Sequence, residues 1–328
     1  MKIAICGAGL VGSYLYRLLG KYGFEDITIF DKQTPPNTIC GINPCAWGTS
    51  IGFAELIMDV GLDPMNYILQ SFDSIIMNCY KLQAEATIID KPKLIADLLN
   101  STEVLCTPIK ANDFDRIIDA TGFARAFLPA MDKDVISSCV QYRVFSQESY
   151  ELGIDVSNLG YAWRFPMSHN EYHIGAGSVV IPPQRMLEKL GWLDSCSQIC
   201  ACTGKIRLTA PHFSLPIVDV TNNRNYQVWG VGEAIGCVAP LIGEGIIPGL
   251  KSVRILLDNW ESPQAYQRAI LKEFLWMKAE RKLVDRVVRG KRLGLFDVQV
   301  LKHGTKRFRI NINYDQGLDL IRSIIRIG

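Results

Sequence analysis

A short apolar run, Lys2-Ile-Ala-Ile-Cys6, opens directly onto Gly7-Ala-Gly9-Leu-Val-Gly12-Ser13. Behind the glycines, Leu15, Leu18 and Leu19 recur at helical spacing, and Ile27-Thr-Ile-Phe30 then reads as a second strand ending in Asp31. Strand, Gly-x-Gly-x-x-Gly, helix, strand and acid in one unit leave few folds open. Gly7 permits the tight turn, Gly9 lets the backbone approach a pyrophosphate, and Gly12 lets the helix pack closely on its strand. The helix N-terminus offers unpaired N–H groups and a partial positive charge to phosphates. Asp31, 19 residues after Gly12, stands where a carboxylate accepts from ribose hydroxyls. The unit predicts a Rossmann-type domain carrying an adenine dinucleotide. The fingerprint alone does not separate FAD from NAD.

The rest of the chain must complete that domain. Its 328 residues, 48% hydrophobic and 21% charged, suit one large α/β domain or two interleaved ones, and exclude a disulfide miniprotein, a disordered chain or a coiled coil. The net charge of +2 argues against a dedicated nucleic-acid binder. Charge is uneven, however: from Arg268 to Arg309 there are 13 Lys/Arg against 4 Asp/Glu. This basic segment suits either a solvated helix face or contact with an anionic membrane. No signal peptide precedes the first strand, so a cytoplasmic, reduced protein is expected, with peripheral attachment to the inner membrane face as a variant. Val228 to Leu250 is the most apolar long stretch, but Glu233, Glu244 and six glycines exclude a transmembrane helix.

A second glycine motif lies far downstream. Tyr226-Gln-Val-Trp-Gly230-Val-Gly232-Glu233 reads as a strand ending in a Gly-acid pair. Pro240-Leu-Ile-Gly243-Glu244-Gly245-Ile246 then leads into an apolar helix to Trp260. The acid is placed to take ribityl hydroxyls, and the N-terminus of the second helix to face the isoalloxazine carbonyl side. Between the motifs, Arg116-Ile-Ile-Asp-Ala-Thr121-Gly122 is a further strand ending in a small-residue turn. These three segments, in this order, resemble the flavoprotein fold shared by aromatic hydroxylases and geranylgeranyl reductases, over about the first 265 residues. Glu233 stands where that group has Asp, and Lys91, in Ile89-Asp-Lys91-Pro, where it has Arg. The resemblance implies FAD, held by Gly7, Gly9, Gly12, Asp31, Lys91, Gly232, Glu233, Gly243, Gly245 and Ile246.

Tyr161-Ala-Trp163-Arg-Phe165-Pro166 selects the branch. It resembles the Tyr-x-Trp-x-Phe-Pro signature of the geranylgeranyl reductase family, which implies that Tyr161, Trp163, Phe165 and Pro166 line an isoprenoid cavity. Aromatic rings give a polyprene a broad, rigid apolar wall, and a proline would fix a turn beside the flavin. The same alternation also describes an ordinary strand with Tyr161, Trp163 and Phe165 on one buried face. Family members carry a cysteine in a Pro-Cys-Gly-type loop, for which Cys45 in Asn43-Pro44-Cys45-Ala46 is the candidate and Cys40 the alternative. Either is expected as a thiol beside the flavin or a proton donor, or else as a buried structural thiol.

Cys196-x-x-x-Cys200-x-Cys202 lacks the second pair that structural zinc requires, so no metal is assigned. His169, His173, His212 and His303 show no paired spacing.

The expected organisation is a discontinuous FAD-binding domain (1–70, 88–125, 225–265), an interleaved, mostly antiparallel substrate domain (71–87, 126–224) and a basic helical segment (266–328). Within the last, the apolar stripe from Ala269 to Val288 predicts one amphipathic helix. The leading function is reduction of isoprenoid carbon–carbon double bonds, in a geranylgeranyl lipid or a prenyl quinone, with electrons from a reduced carrier or NAD(P)H. A flavin monooxygenase on the same fold and a non-catalytic flavin- or lipid-binding protein are the alternatives.

Overall fold

Two sheets organise the chain. The computed structural model describes residues 1–32, 47–157, 160–220 and 225–325. β1 (Ile3–Cys6) runs through Gly7–Gly9 into α1 (Leu10–Lys21), and β2 (Ile27–Phe30) returns parallel beside it. All four β1 residues are buried, as a central parallel strand covered on both faces requires. β3 (Gly48–Thr49) and α2 (Phe53–Asp59) precede a long hairpin, β4 (Ile68–Met77) and β5 (Tyr80–Ile89), and α3 (Lys91–Leu99). β6 (Arg116–Asp119) pairs with the other side of β1. Then come β7 (Ile136–Ser146), β8 (Gly153–Ser157), β9 (Gly160–Ser168), β10 (Glu171–Ser178), α4 (Pro183–Leu190) and β11 (Cys196–Arg207). β12 (Val218–Asp219), β13 (Gln227–Gly230) and α5 (Ile246–Asp258) return to the first sheet. α6 (Pro263–Glu273), α7 (Leu275–Val288), α8 (Leu295–Arg307) and α9 (Tyr314–Ile325) close the chain.

The first sheet has the order β12-β13-β6-β1-β2, parallel except at β12, with α1 packed against α3 and α5. The second has the order β11-β7-β10-β9-β8-β4-β5-β3 and is antiparallel except where β4 meets β8. Strand pairing crosses two boundaries expected from sequence. β3 joins the second sheet although it precedes residue 70, and β12 joins the first although it precedes residue 225. Two-residue strands carry no hydrophobic period of their own, so their partner is fixed by tertiary placement.

The helix expected over 269–288 is two helices, broken at Phe274. Phe274 is buried and has left helical geometry, with φ −100° and ψ 26°. Neither glycine nor proline marks the break, so tertiary packing sets it. α7 turns its apolar side inward and takes Glu280 and Arg281 with it.

Candidate active site

Gly7 holds φ +109°, a Cβ there would run into the Ala120 carbonyl, and a Cβ on Gly12 would run into the Gly7 carbonyl. Gly9 differs: no described residue lies within 4 Å of where its Cβ would stand. α1 starts on Gly9 without a side-chain cap and without an acid in its first turn. Its leading amides therefore meet no competing carboxylate from their own turn. At the tip of β2, Asp31 accepts from the Ala8 N–H at 2.7 Å, which fixes a carboxylate at the lip of the same turn. A Gly9 uncrowded by any described residue, a bare positive helix end and an adjacent acid fit a dinucleotide diphosphate with its ribose.

The distant motif closes against this turn. Gly232 has φ +63°, and a Cβ there would stand 3.1 Å from both Val11 methyls. Its N–H donates to Ser252 Oγ at 2.8 Å, and that hydroxyl donates to the Gly249 carbonyl at 2.6 Å. Gly249 in turn lies against Val11. The two glycine motifs thus share one contact point.

Glu233 accepts the Arg207 N–H at 2.6 Å, tying its loop to β11. Burial pushes its carboxyl up to about 7, opposed by Arg207 and by the charge of Lys91. Lys91, the first residue of α3, therefore acts in the same neighbourhood as Glu233. The start of α5 departs from expectation. The N-terminus after Gly245 is not bare, because Glu244 accepts from the Ile247 N–H at 2.9 Å and also engages the Ile246 amide. Buried helix-end amides need an acceptor, and the carboxylate one residue upstream supplies it. Burial pushes Glu244 up to about 7.

Tyr161, Trp163 and Phe165 occupy one face of β9, as the period of two requires. The Tyr161 hydroxyl abuts Gly243, which holds φ +68° in the second-motif loop. Trp163 is only 3% exposed; its indole covers Gly175 and its Nε1 donates to Gln141 at 3.1 Å. The ring of Phe165 comes against Gly48 of β3, where a Cβ would stand 2.6 Å from Cε2. His173, paired across from Phe165, meets Trp47 edge-on at 4.6 Å between ring centroids. Tyr161 and Trp163 are 5.6 Å apart.

Pro166 does not belong to this wall. It pairs with Tyr172, on the opposite face beneath α4, and β9 continues past it to Ser168. The expected turn is absent because a bulge between Glu171 and Tyr172 accommodates a residue without an N–H inside the strand. Cys45 and its alternative Cys40 lie outside the described residues. Cys202 lies on β11 across from Gln141, while His212 sits in the short turn Pro211–Phe213.

No protein-family model matches the sequence. An uncharacterized protein of Methanocaldococcus jannaschii, MJ1182, is 25% identical over 87% of this chain and 91% of that protein. Among solved structures, a geranylgeranyl bacteriochlorophyll reductase-like protein from Thermoplasma acidophilum superposes with a TM-score of 0.69, at 17% identity, over 99% of both chains. The chain shares the fold of that protein. PqsL of Pseudomonas aeruginosa, a probable FAD-dependent monooxygenase, is similar at a TM-score of 0.58 and 12% identity, over 98% of this chain and 99% of that one. The flavin-dependent halogenase CmlS reaches 0.59 at 15% identity, over 98% of this chain and 70% of that one.

Within this fold, three residues that sequence reading passed over hold the site together. Arg125 is buried and donates to the carbonyls of Ala234 (2.5 Å), Pro216 (2.7 Å) and Pro129 (2.7 Å), clamping the turn that carries Glu233. Tyr266, on α6, donates to the Gly230 carbonyl at 2.6 Å. Glu280, on α7, faces the Leu241 amide in the loop before Gly243. A lone cation inside Gly122-Phe-Ala-Arg125-Ala-Phe was the one signal available for Arg125, since a buried guanidinium needs several acceptors.

Proposed function

We propose that the chain binds one FAD across the two glycine motifs and reduces carbon–carbon double bonds of an isoprenoid lipid, a geranylgeranyl lipid or a prenyl quinone. The contact of Tyr161 with Gly243 carries the reading, because it sets the aromatic strand directly against the loop of the second glycine motif. The likeness over 99% of both chains to a geranylgeranyl bacteriochlorophyll reductase-like protein supports it. Gly9 and the first amides of α1 would take the diphosphate, Asp31 the adenosine ribose, and Glu233 with Lys91 the ribityl side. When bound and reduced, FAD supplies the hydride.

The chain's own residues supply the surroundings. Tyr161, Phe165 and Trp47 give an apolar wall that holds an alkene and excludes water, which an unactivated double bond requires. Trp163, on the same face between Tyr161 and Phe165, is held by Gly175 and Gln141. Cys45, or Cys40 in its place, is the proton donor this reading assigns to the second alkene carbon. Electrons come from a reduced carrier or NAD(P)H. On this reading the substrate domain is 71–87 with 126–224, and 266–328 is a basic helical segment that rests on an anionic membrane. No helix among the described residues is long and apolar enough to cross a membrane.

The test is anaerobic. Dithionite-reduced protein mixed with a geranylgeranyl lipid should be reoxidised and yield a product two mass units heavier for each bond reduced. The likeness to PqsL over nearly the whole of both chains favours a second reading, a monooxygenase. Oxygen-dependent consumption of NADPH with an unreduced lipid would select it. Flavin that stays reduced with every lipid would leave a non-catalytic binding protein.

A further inference from the structure

The junction of α7 and α8 presents an unusual surface. Leu295 and Phe296 are 70% and 71% exposed, and Val288 nearby is 41% exposed. Arg289, Lys291 and Arg292 are exposed as well, and none of them forms an ion pair with another described residue. From Arg286 to Arg292 there are four cations and no acid. The flanking acids are already engaged: Asp285 with Arg281 at 2.9 Å, and Asp297 with Arg286 at 3.3 Å.

This exposure is built in. Arg286 donates to the Arg292 carbonyl at 2.7 Å, and the Gly294 N–H donates to Asp297 at 2.8 Å. Leu293 tucks into the cluster formed by Leu283, Val287, Val300 and Ile324. The α7–α8 junction is therefore fastened at both ends with Leu295 and Phe296, the first residues of α8, turned outward, whereas the next turns of α8 bury Val298 and Leu301. An exposed Leu-Phe pair beside unpaired cations is the composition of an interfacial membrane contact. Leu241, just before the Gly243–Tyr161 contact, packs on the same cluster as Leu293, so apolar packing runs from the junction to the candidate site.

We propose that the α7–α8 junction, residues 288–296, seats the protein on an anionic membrane, with Leu295 and Phe296 entering the acyl boundary and Arg289, Lys291 and Arg292 on lipid phosphates. Of the α7 cations, Arg281 is buried and Arg286 is spent on Asp297. The inference names the element by which a lipid reductase would reach its substrate. It stands on this surface alone and does not require the reduction chemistry.

Vesicle flotation of the full chain tests it. Binding is expected to vesicles of phosphatidylglycerol and phosphatidylcholine at low salt, to weaken as salt rises, and to be absent with phosphatidylcholine alone. Leu295→Ser with Phe296→Ser should weaken binding about tenfold or more. Neutralising Arg289, Lys291 and Arg292 to Gln should weaken it about a hundredfold, at about fivefold per cation. All five side chains are exposed, so unchanged thermal unfolding is expected of both variants. Wild type that ignores phosphatidylglycerol vesicles, or a double-serine variant that binds them equally well, would overturn the proposal. So would a concentration-dependent dimer, without vesicle binding, that the double-serine variant abolishes. A chain that binds vesicles but takes no FAD would sink the reductase reading and leave the membrane seat standing.

Discussion

Val11, in the first turn of α1, touches Gly249, in the first turn of α5: a Cβ on Gly249 would stand 2.6 Å from Val11 Cγ2. This contact lets both motif helices start from one place, and it depends on the missing side chain. Gly249→Ala should therefore destabilise the chain by about 1–3 kcal/mol through overpacking. Combining it with Val11→Ala should recover most of that loss, because the methyls that clash are gone. Urea denaturation of the two single variants and the double variant measures the coupling; strict additivity would mean that the helices do not meet here.

Gly9 and Gly12 belong to one motif but should fail differently. No described residue crowds Gly9, so Gly9→Val is expected to fold with near-normal stability and emerge without FAD. At Gly12, a Cβ would meet the Gly7 carbonyl, so Gly12→Val should unfold or aggregate. Circular dichroism and the flavin absorbance band separate the outcomes. A yellow, fully loaded Gly9→Val protein would remove Gly9 from the diphosphate path.

The opening unit was legible because each part is a local pattern: an apolar strand, spaced glycines, a leucine stripe and an acid at a strand tip. The shared face of Tyr161, Trp163 and Phe165 was legible too, since alternation survives without knowledge of neighbours. What could not be read was partnership. Nothing in the sequence around Val11 names Gly249, and nothing in Gly245-Ile-Ile shows that Glu244 would fold back onto the helix end. Pro166 was misplaced because a bulge belongs to a pair of strands, and only β9 was in view. Arg125 was missed for the same reason, as its three carbonyl partners lie up to 109 residues away.

Trp163 is held by a glycine. A Cβ on Gly175 would meet the indole and stand 2.6 Å from the Val140 carbonyl, so Gly175→Ala must displace the ring or the strand. A loss of about 1–3 kcal/mol is expected. On the proposed reading, lipid turnover should fall while FAD stays bound, because the diphosphate cradle on β1 and α1 is on the other sheet. Thermal unfolding and single-turnover reoxidation check the two halves separately. Normal turnover in a destabilised variant would make Trp163 a core residue with no part in the lipid wall.

Glu280 makes the stability of the site loop depend on pH. It is 3% exposed, faces the Leu241 amide, and keeps one carboxylate oxygen without a hydrogen-bond partner. Burial raises its carboxyl from the ordinary 4.5 to about 8, against the pull of Arg307. A folded-state value above the unfolded one favours the protonated carboxyl in the folded chain. Its contribution to stability is thus complete below about pH 4.5 and is lost as pH climbs through about 8. Glu233 and Glu244 shift the same way, each from 4.5 to about 7, so wild type should weaken between about pH 4.5 and about pH 8. Glu280→Gln stays neutral throughout and should lose less stability across that interval. Urea midpoints of wild type and variant at both ends isolate the Glu280 share, since the other two acids are common to both. Parallel pH slopes would show that Glu280 is already ionised in the folded chain, with its second oxygen reached by water.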